Sequence, residues 1–389
     1  MSSYYPLVIY SVAAAFLFFM YISCFHCSRK VQLTITIVLA LVYVVRFTIG
    51  NDFINYKYIY NNIFNSAIAV MKDPFQYGSL YSVRNLGYTF FVYGLKHLFC
   101  TYPEFILALN ILTMTLLMIP VLRQSRQPLF SMVILIGCGV LEMYYGSAWR
   151  EFLAMCIFFA AFYFCIPKKK YLAYELCILL AFTFHESAGI GFFVPVVIEL
   201  YHRHSKKAKK IYFWILVISA AIGILNLTLV PYLATMPTFQ RYIAFSYFIQ
   251  NPDFSIIGLL LQVCLGIAVY ILYSWSNPED LFLKEQTAVF LMTVPFYFCF
   301  AGFQLVSRVA DFIQIIEVIL IPNLVCLIPD KKKKALGFLG VIALNFVLLY
   351  SDTTYRIGNT KKIYEIVNAP VNSYISVWDP AADIISDHY

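Results

Sequence analysis

In 389 residues the chain is 61% hydrophobic and only 12% charged, about half the charged share of an ordinary soluble domain, which excludes a water-soluble globular fold. Its net charge of +8 does not mark a nucleic-acid binder, because the basic residues fall in short loops between apolar runs, as they do in the cytoplasmic loops of membrane proteins.

Taken in chain order, the first apolar run covers 5–27. It has no basic lead and no small-residue cleavage site, so it reads as a first span and not as a removed signal. Cys24 and Cys27 flank His26 there; without a second ligand pair this spacing is a weak metal signal, and Cys in an apolar run behaves as a small hydrophobe. A second span is expected at 31–46, followed by a loop at 47–85 and a short apolar stretch at 86–100 that carries Lys96 and His97. That stretch reads as a re-entrant or interfacial helix, tolerable where protein buries it. Read as a full span, it inverts the first two helices. Spans are then expected at 104–122, 129–146, 150–166, 171–185, 187–201 and 211–234, and, after a loop at 235–255, at 256–276, 287–305, 309–329 and 335–351, with a tail at 352–389.

This makes about twelve crossings of roughly 20 residues each in a single all-α transmembrane domain over 1–351. Helices are expected because lipid offers no partner to a bare peptide group, and the short alternating segments of a membrane barrel are absent from the pattern. Lys168–Lys170, the group Arg203, Lys206, Lys207, Lys209 and Lys210, and Lys331–Lys334 set the orientation. The positive-inside bias puts them in the cytoplasm, with Arg29, Lys30, Arg123, Arg126 and Lys284 beside them. The loops 47–85 and 235–255, the tail and both termini then face outward.

A second set of charges does not obey that bias. Arg46, Arg84, Arg150, Arg241 and Arg308, with Lys57 and Lys72, fall on the outer side, several of them at helix ends. Ionisable groups at membrane depth are costly and default to a functional reading. The guanidinium fork suits phosphate oxygens, so the set points to an anionic, lipid-linked ligand; for any single arginine the alternative is snorkelling to head groups. Asp52 follows Gly50 just past the second span, Asp311 lies three residues after Arg308, and Glu317, Glu142 and His185 stand in or at the ends of apolar runs. The Arg308–Asp311 spacing also fits a structural ion pair, and a His at a helix end also fits a hydrogen-bonded structural role. No nucleotide-binding loop and no serine-hydrolase elbow is present.

At these residues the sequence resembles the EpsG-type branch of the Wzy-like polysaccharide polymerases. The resemblance is carried by Arg46, Gly50, Asp52, Phe53 and Tyr56, by Gly87-Tyr88, by Arg150-Glu151, by Phe184-His185-Glu186-Ser187-Ala188, and by Ser307 through Phe312. Two positions depart from the family pattern: Arg84-Asn85-Leu86 stand where an acidic residue is frequent, and Ser147 stands in place of an Asn. The resemblance implies a lipid-dependent glycosyltransferase of the GT-C kind in the bacterial inner membrane, with neither cofactor nor metal. Its implied substrate is an oligosaccharide on undecaprenyl pyrophosphate, and a flippase and a chain-length regulator are the implied protein partners. It further implies that Arg46, Arg150 and Arg308 contact the leaving pyrophosphate, that Arg241 and Tyr56 belong to the substrate site, and that the base is Asp52 or His185, with Asp311 third. A flippase and an O-antigen ligase are the alternative functions.

Overall fold

The computed structural model describes residues 11, 12, 15, 28–47, 53–64, 68, 86–98, 101–141, 148–234, 256–300, 306–347 and 375–376. The chain divides into two compact units, Met1–Gly189 with Phe338–Tyr389, and Ile190–Gly337. Almost every described element is a helix. The exception is one pair of two-residue strands, β1 (Arg46–Phe47) and β2 (Ile375–Ser376), which runs antiparallel and ties the C-terminal tail to the end of the second expected span. Among the described residues four helices are long and apolar enough to cross a membrane: Tyr102–Gln124, Trp149–Lys168, Ser205–Asn226 and Leu259–Ser276.

In the first unit the helices are α1 (Arg29–Val44), α2 (Phe53–Asn61), α3 (Leu86–Lys96), α4 (Tyr102–Gln124), α5 (Pro128–Gly137), α6 (Trp149–Cys165) and α7 (Tyr171–Phe184). Its centre is α6, which packs against both α4 and α7. Phe152, Phe158, Phe159, Phe162 and Tyr163 are fully buried along it. The helix closes at its lysines: Lys169 takes a left-handed φ of 54°, Lys170 N–H donates to Cys165 O at 3.0 Å, and Lys169 N–H donates to Ile166 O at 2.9 Å. This is a Schellman closure with lysine in the position usually held by glycine, and cations there suit the negative end of the helix dipole. α4 opens with a Thr101–Glu104 capping box, and its far end is met by Arg29, whose Nη2 donates to Leu122 O at 3.1 Å.

The sequence places 86–100 as a short helix, and α3 covers 11 residues, a rise of about 16 Å, roughly half the hydrocarbon thickness. Its Lys96 ends on protein: Nζ donates to Tyr60 O at 2.6 Å and Asn61 O at 2.9 Å, so it caps the C-terminus of α2. α3 lies against α7 at Gly87, where a Cβ would collide with Thr183 Oγ1 and come within 3.1 Å of the Phe184 ring.

In the second unit follow α8 (Val194–Arg203), α9 (Ala208–Ala234), α10 (Ile256–Ser276), α11 (Leu281–Leu291), α12 (Thr293–Cys299), α13 (Val306–Gln314) and α14 (Glu317–Leu327). Polar side chains join them. His202 Nε2 lies 2.7 Å from Glu285 Oε1, Tyr212 donates to Leu291 O at 2.8 Å, and Asn226 donates to Cys299 O at 2.5 Å. Several expected spans are interrupted. The run at 187–201 is a 3-10 segment, Glu186–Phe193, leading into α8; 287–305 is broken at Met292; and 309–329 is broken between α13 and α14.

Candidate functional site

Within the first unit, the ends of the helices separate the charges. Arg29, Arg123 and Lys168–Lys170 gather where α1 begins and where α4 and α6 end; Arg123 lies over the Phe164 ring at 5.8 Å. The 17 residues of α6 carry the chain about 25 Å to its opposite end. There Trp149, Arg150 and Glu151 form the first turn of α6, and α7 arrives with His185 as its C-cap. The N-cap of α6 is Ala148, which has no side chain to bond the first amides.

Residues 150 and 151 are adjacent in sequence but project about 100° apart around the helix. Arg150 is half-buried and sets its guanidinium 5.8 Å from the centre of the Tyr56 ring, a cation–π distance. Tyr56 in turn packs edge-on against Tyr88 at 5.9 Å. One turn further along α2, Tyr60 meets Tyr102 at 5.4 Å and Phe105 at 5.1 Å. These rings are buried and form the bed under the arginine. They come from α2, α3 and the start of α4, which explains how so short a helix as α3 serves the site: Gly87 lets α3 approach α7, and Tyr88 follows it in sequence.

Glu151 points the other way. It is 1% exposed, and its Oε2 lies 4.0 Å from Nε2 of His185, which is 16% exposed. That is ion-pair range and beyond a direct hydrogen bond. The other ring nitrogen is engaged, because Ser187 N–H donates to His185 Nδ1 at 3.3 Å. With Nδ1 accepting, the neutral ring carries its proton on Nε2, facing the carboxylate. The backbone fixes this pose: His185 N–H closes α7 on Ala181 O at 3.0 Å, and the chain turns at once into the 3-10 segment that brings the Ser187 amide back over the ring.

The structure therefore brings together Tyr56, Arg150 and His185 from the expected site and adds Glu151 and Tyr88. Sequence reasoning did not single out either addition as chemistry. Glu151 was visible only as the neighbour of Arg150, and helix geometry separates the two. Lys57, another of the charges expected on the outer side, is buried in α2. Arg46 lies in β1 and Arg308 in α13, each with its side chain outside the described residues. Asp52, Arg241, Arg84, Lys72, Glu142 and the Cys24–Cys27 pair lie outside the described residues. Asp311 belongs to the second unit. There the Tyr297 hydroxyl hydrogen-bonds it, and fully buried Glu317 lies close by against Gln314, which accepts from Gln262 at 2.9 Å. Among the described residues no group of three or more His, Cys, Asp or Glu side chains converges as a metal centre requires.

No curated protein and no solved structure matches the chain. A family comparison does: the EpsG family matches residues 30–366, from the start of α1 to beyond the last described helix. That stretch includes Tyr56, Gly87, Arg150, Glu151 and His185, and the chain belongs to the EpsG family.

Proposed function

We propose that this membrane protein is a glycosyltransferase of the polysaccharide-polymerase kind, joining oligosaccharide repeat units carried on undecaprenyl pyrophosphate at the outer face of the bacterial inner membrane. The chain is read as one multi-pass domain over 1–351 of about twelve spans, GT-C-like, with outer loops 47–85 and 235–255 and tail 352–389. Its expected partners are the flippase that supplies the substrate and a chain-length regulator. Family membership supports a polysaccharide polymerase-like role. The observation that carries the reading is Arg150, held over buried Tyr56 at the helix end opposite the lysines.

In this reaction the hydroxyl oxygen of the acceptor sugar attacks the anomeric carbon of the donor. The bond from that carbon to the pyrophosphate oxygen breaks, and the electron pair leaves on the pyrophosphate. Arg150, half-buried in the first turn of α6, whose N-cap Ala148 makes no side-chain cap, meets that growing negative charge with a fixed positive one; a preorganised charge in a water-poor site stabilises the transition state without reorganisation. Tyr56 serves the ligand by holding the guanidinium. The hydroxyl proton passes to a base. His185 has one nitrogen accepting from Ser187 N–H and the other facing Glu151, an arrangement that favours Asp52 as the base and His185 with Glu151 as the pair that orients the turn. Arg46, Arg241 and Arg308 are carried as further contacts to pyrophosphate and glycan, and Asp311 as the third candidate base, each testable by substitution.

The test is ladder formation by the purified protein from synthetic lipid-linked repeat units, with a chelator and no nucleotide present. Elongated lipid-linked glycan is the expected product. Transfer to a non-sugar-lipid acceptor without elongation makes the chain a ligase, and no turnover of any lipid-linked donor removes the enzymatic reading.

A further inference from the structure

Within the second unit, at its lysine-bearing end, α8, α9, α10 and α11 enclose an open cavity of about 280 Å³. Among its lining residues, His204, Lys209 and Lys284 stand at or before the starts of α9 and α11 and form the rim, Tyr201, Tyr212 and Tyr273 form the wall, and Ile215, Leu291 and Met292, about two turns further along α9 and α11, form the floor. The wall is fixed. Tyr212 donates to Leu291 O at 2.8 Å, and the Tyr201 and Tyr273 hydroxyls bond each other.

The charge around the rim is one-sided. Residues 203–210 contribute Arg203, Lys206, Lys207, Lys209 and Lys210, and no carboxylate occurs between Glu199 and Asp253. Of the acids on the neighbouring turns, Glu199 is engaged by Arg203 at 2.6 Å, Glu285 by His202 at 2.7 Å, and Asp280 by the Phe282 amide at 2.9 Å, while Glu279 is exposed and is not among the residues lining the cavity. Among the described residues neither Lys209 nor Lys284 makes a salt bridge.

Depth gives the second constraint. From Lys209 to Ile215 along α9 the rise is about 9 Å, whereas the head-group layer of one leaflet is only about 5–8 Å thick. A ligand with its charge at the lysines therefore reaches acyl depth at the floor. Phe213 and Trp214 are exposed just beyond Lys210, where an interfacial aromatic belt belongs. A free anion would use the rim and leave the apolar floor unfilled.

We infer that this cavity binds an anionic phospholipid of the leaflet that meets the lysine band, its phosphate between Lys209 and Lys284 and the start of one acyl chain against Ile215, Leu291 and Met292. The site is built from residues of the second unit, whereas Arg150 belongs to the first, and it does not depend on the polymerase reading, so an Arg150→Ala protein binds the lipid as the wild type does.

The experiment is native mass spectrometry of the full chain, delipidated in mild detergent and titrated with phosphatidylglycerol or phosphatidylcholine of matched chains. Retention of one phosphatidylglycerol in preference to phosphatidylcholine is expected. Lys209→Gln and Lys284→Gln should each weaken it by roughly five-fold, the usual factor for one basic residue near an anionic lipid surface. Ala288→Phe, which fills the cavity and leaves both lysines in place, should abolish retention. Lys332→Gln, outside the cavity, should leave it unchanged. Equal retention of the two lipids overturns the proposal. So does a loss in Lys332→Gln as large as in Lys209→Gln, which means diffuse charge, or displacement of the lipid by millimolar inorganic phosphate, which means a site for free anions.

Discussion

Arg150 and Glu151 occupy the same helical turn and answer to different partners, so their substitutions should fail differently. Arg150 is held by a ring at 5.8 Å and carries the only guanidinium whose side-chain position is described among the five expected outer arginines. Arg150→Ala is expected to lower polymerisation about 10²–10³-fold, the usual cost of one preorganised electrostatic contact, while protein level and melting stay near wild type. Arg150→Lys should recover part of the loss, since the charge remains and the fork does not. His185→Ala and Glu151→Gln test the orienting pair. If His185 were the base, its loss would cost about 10²–10⁴-fold and exceed the loss from Glu151→Gln. As an orienting pair the two should cost similar amounts, and the double variant should cost little more than either single one, because groups in contact are not additive. Turnover of a defined lipid-linked repeat unit, normalised to folded protein, separates the cases; full additivity would dissolve the pair. Sequence spacing singles out Arg150 and His185 because both stand at ends of apolar runs. It could not reveal that Glu151 faces α7, which is a fact of packing.

Gly87 decides whether α3 can lie against α7. The missing side chain leaves room for Thr183, whose hydroxyl is bonded to Leu180 O at 2.7 Å and cannot easily turn away. Gly87→Ala should therefore separate the helices or strain them, with a cost of about 1–3 kcal/mol typical of overpacking, read as a lower melting temperature in detergent. Thr183→Ala in the same protein should restore part of the stability, and a Gly87→Ala protein that melts like wild type would show that α3 does not rest on this contact. The same scale explains what the spans concealed. Hydropathy averages over a window, so it finds apolar runs and passes over breaks within them. The run at 187–201 contains Gly189, Gly191 and Pro195, and the structure makes it a 3-10 segment followed by α8 with Pro195 in its first turn. Proline suits that position because its missing N–H has no intrahelical partner there. Pro295 stands in the first turn of α12 in the same way. These signals were legible. The break at Ile315 and Ile316 was not: no glycine or proline marks it, and the ladder tightens there to i→i+3 bonds, Ile316 N–H to Ile313 O and Val318 N–H to Ile315 O. Asp311 and Glu317 flank this break, a tightening of the kind that accompanies strain or function inside helices.

At the scale of the whole molecule, the distribution of cations gives each unit an expected direction across the membrane. In the first unit Arg29, Arg123 and Lys168–Lys170 occupy one set of helix ends, and Arg150, His185 and the tyrosine bed occupy the other. In the second, Lys206–Lys210 and Lys331–Lys334 flank its helices, the latter starting a helix over 331–347 that Asp330 caps through the Lys333 amide at 2.8 Å. The positive-inside bias acts during insertion and reads the sequence, so an expected orientation follows from the sequence without any knowledge of packing. The prediction is that position 168 in the first unit and position 332 in the second face the cytoplasm, while the far end of the first unit faces out. Lys168, Lys332 and Asn61 are all exposed, so single cysteines there, on a background with the native cysteines replaced, report through a membrane-impermeant thiol reagent added to intact cells. Lys57 is a poor outer probe because it is buried at 4% exposure; Asn61, at the end of α2, is the better one. Labelling at 61 without lysis, and at 168 and 332 only after lysis, is the expected pattern. The reverse at 61 and 168 would turn the first unit over and put Arg150 in the cytoplasm, where a lipid-linked donor at the outer face could not reach it. Labelling at 332 but not at 168 in intact cells would mean that the two lysine clusters lie on opposite sides, and then the chain crosses the membrane an odd number of times between them.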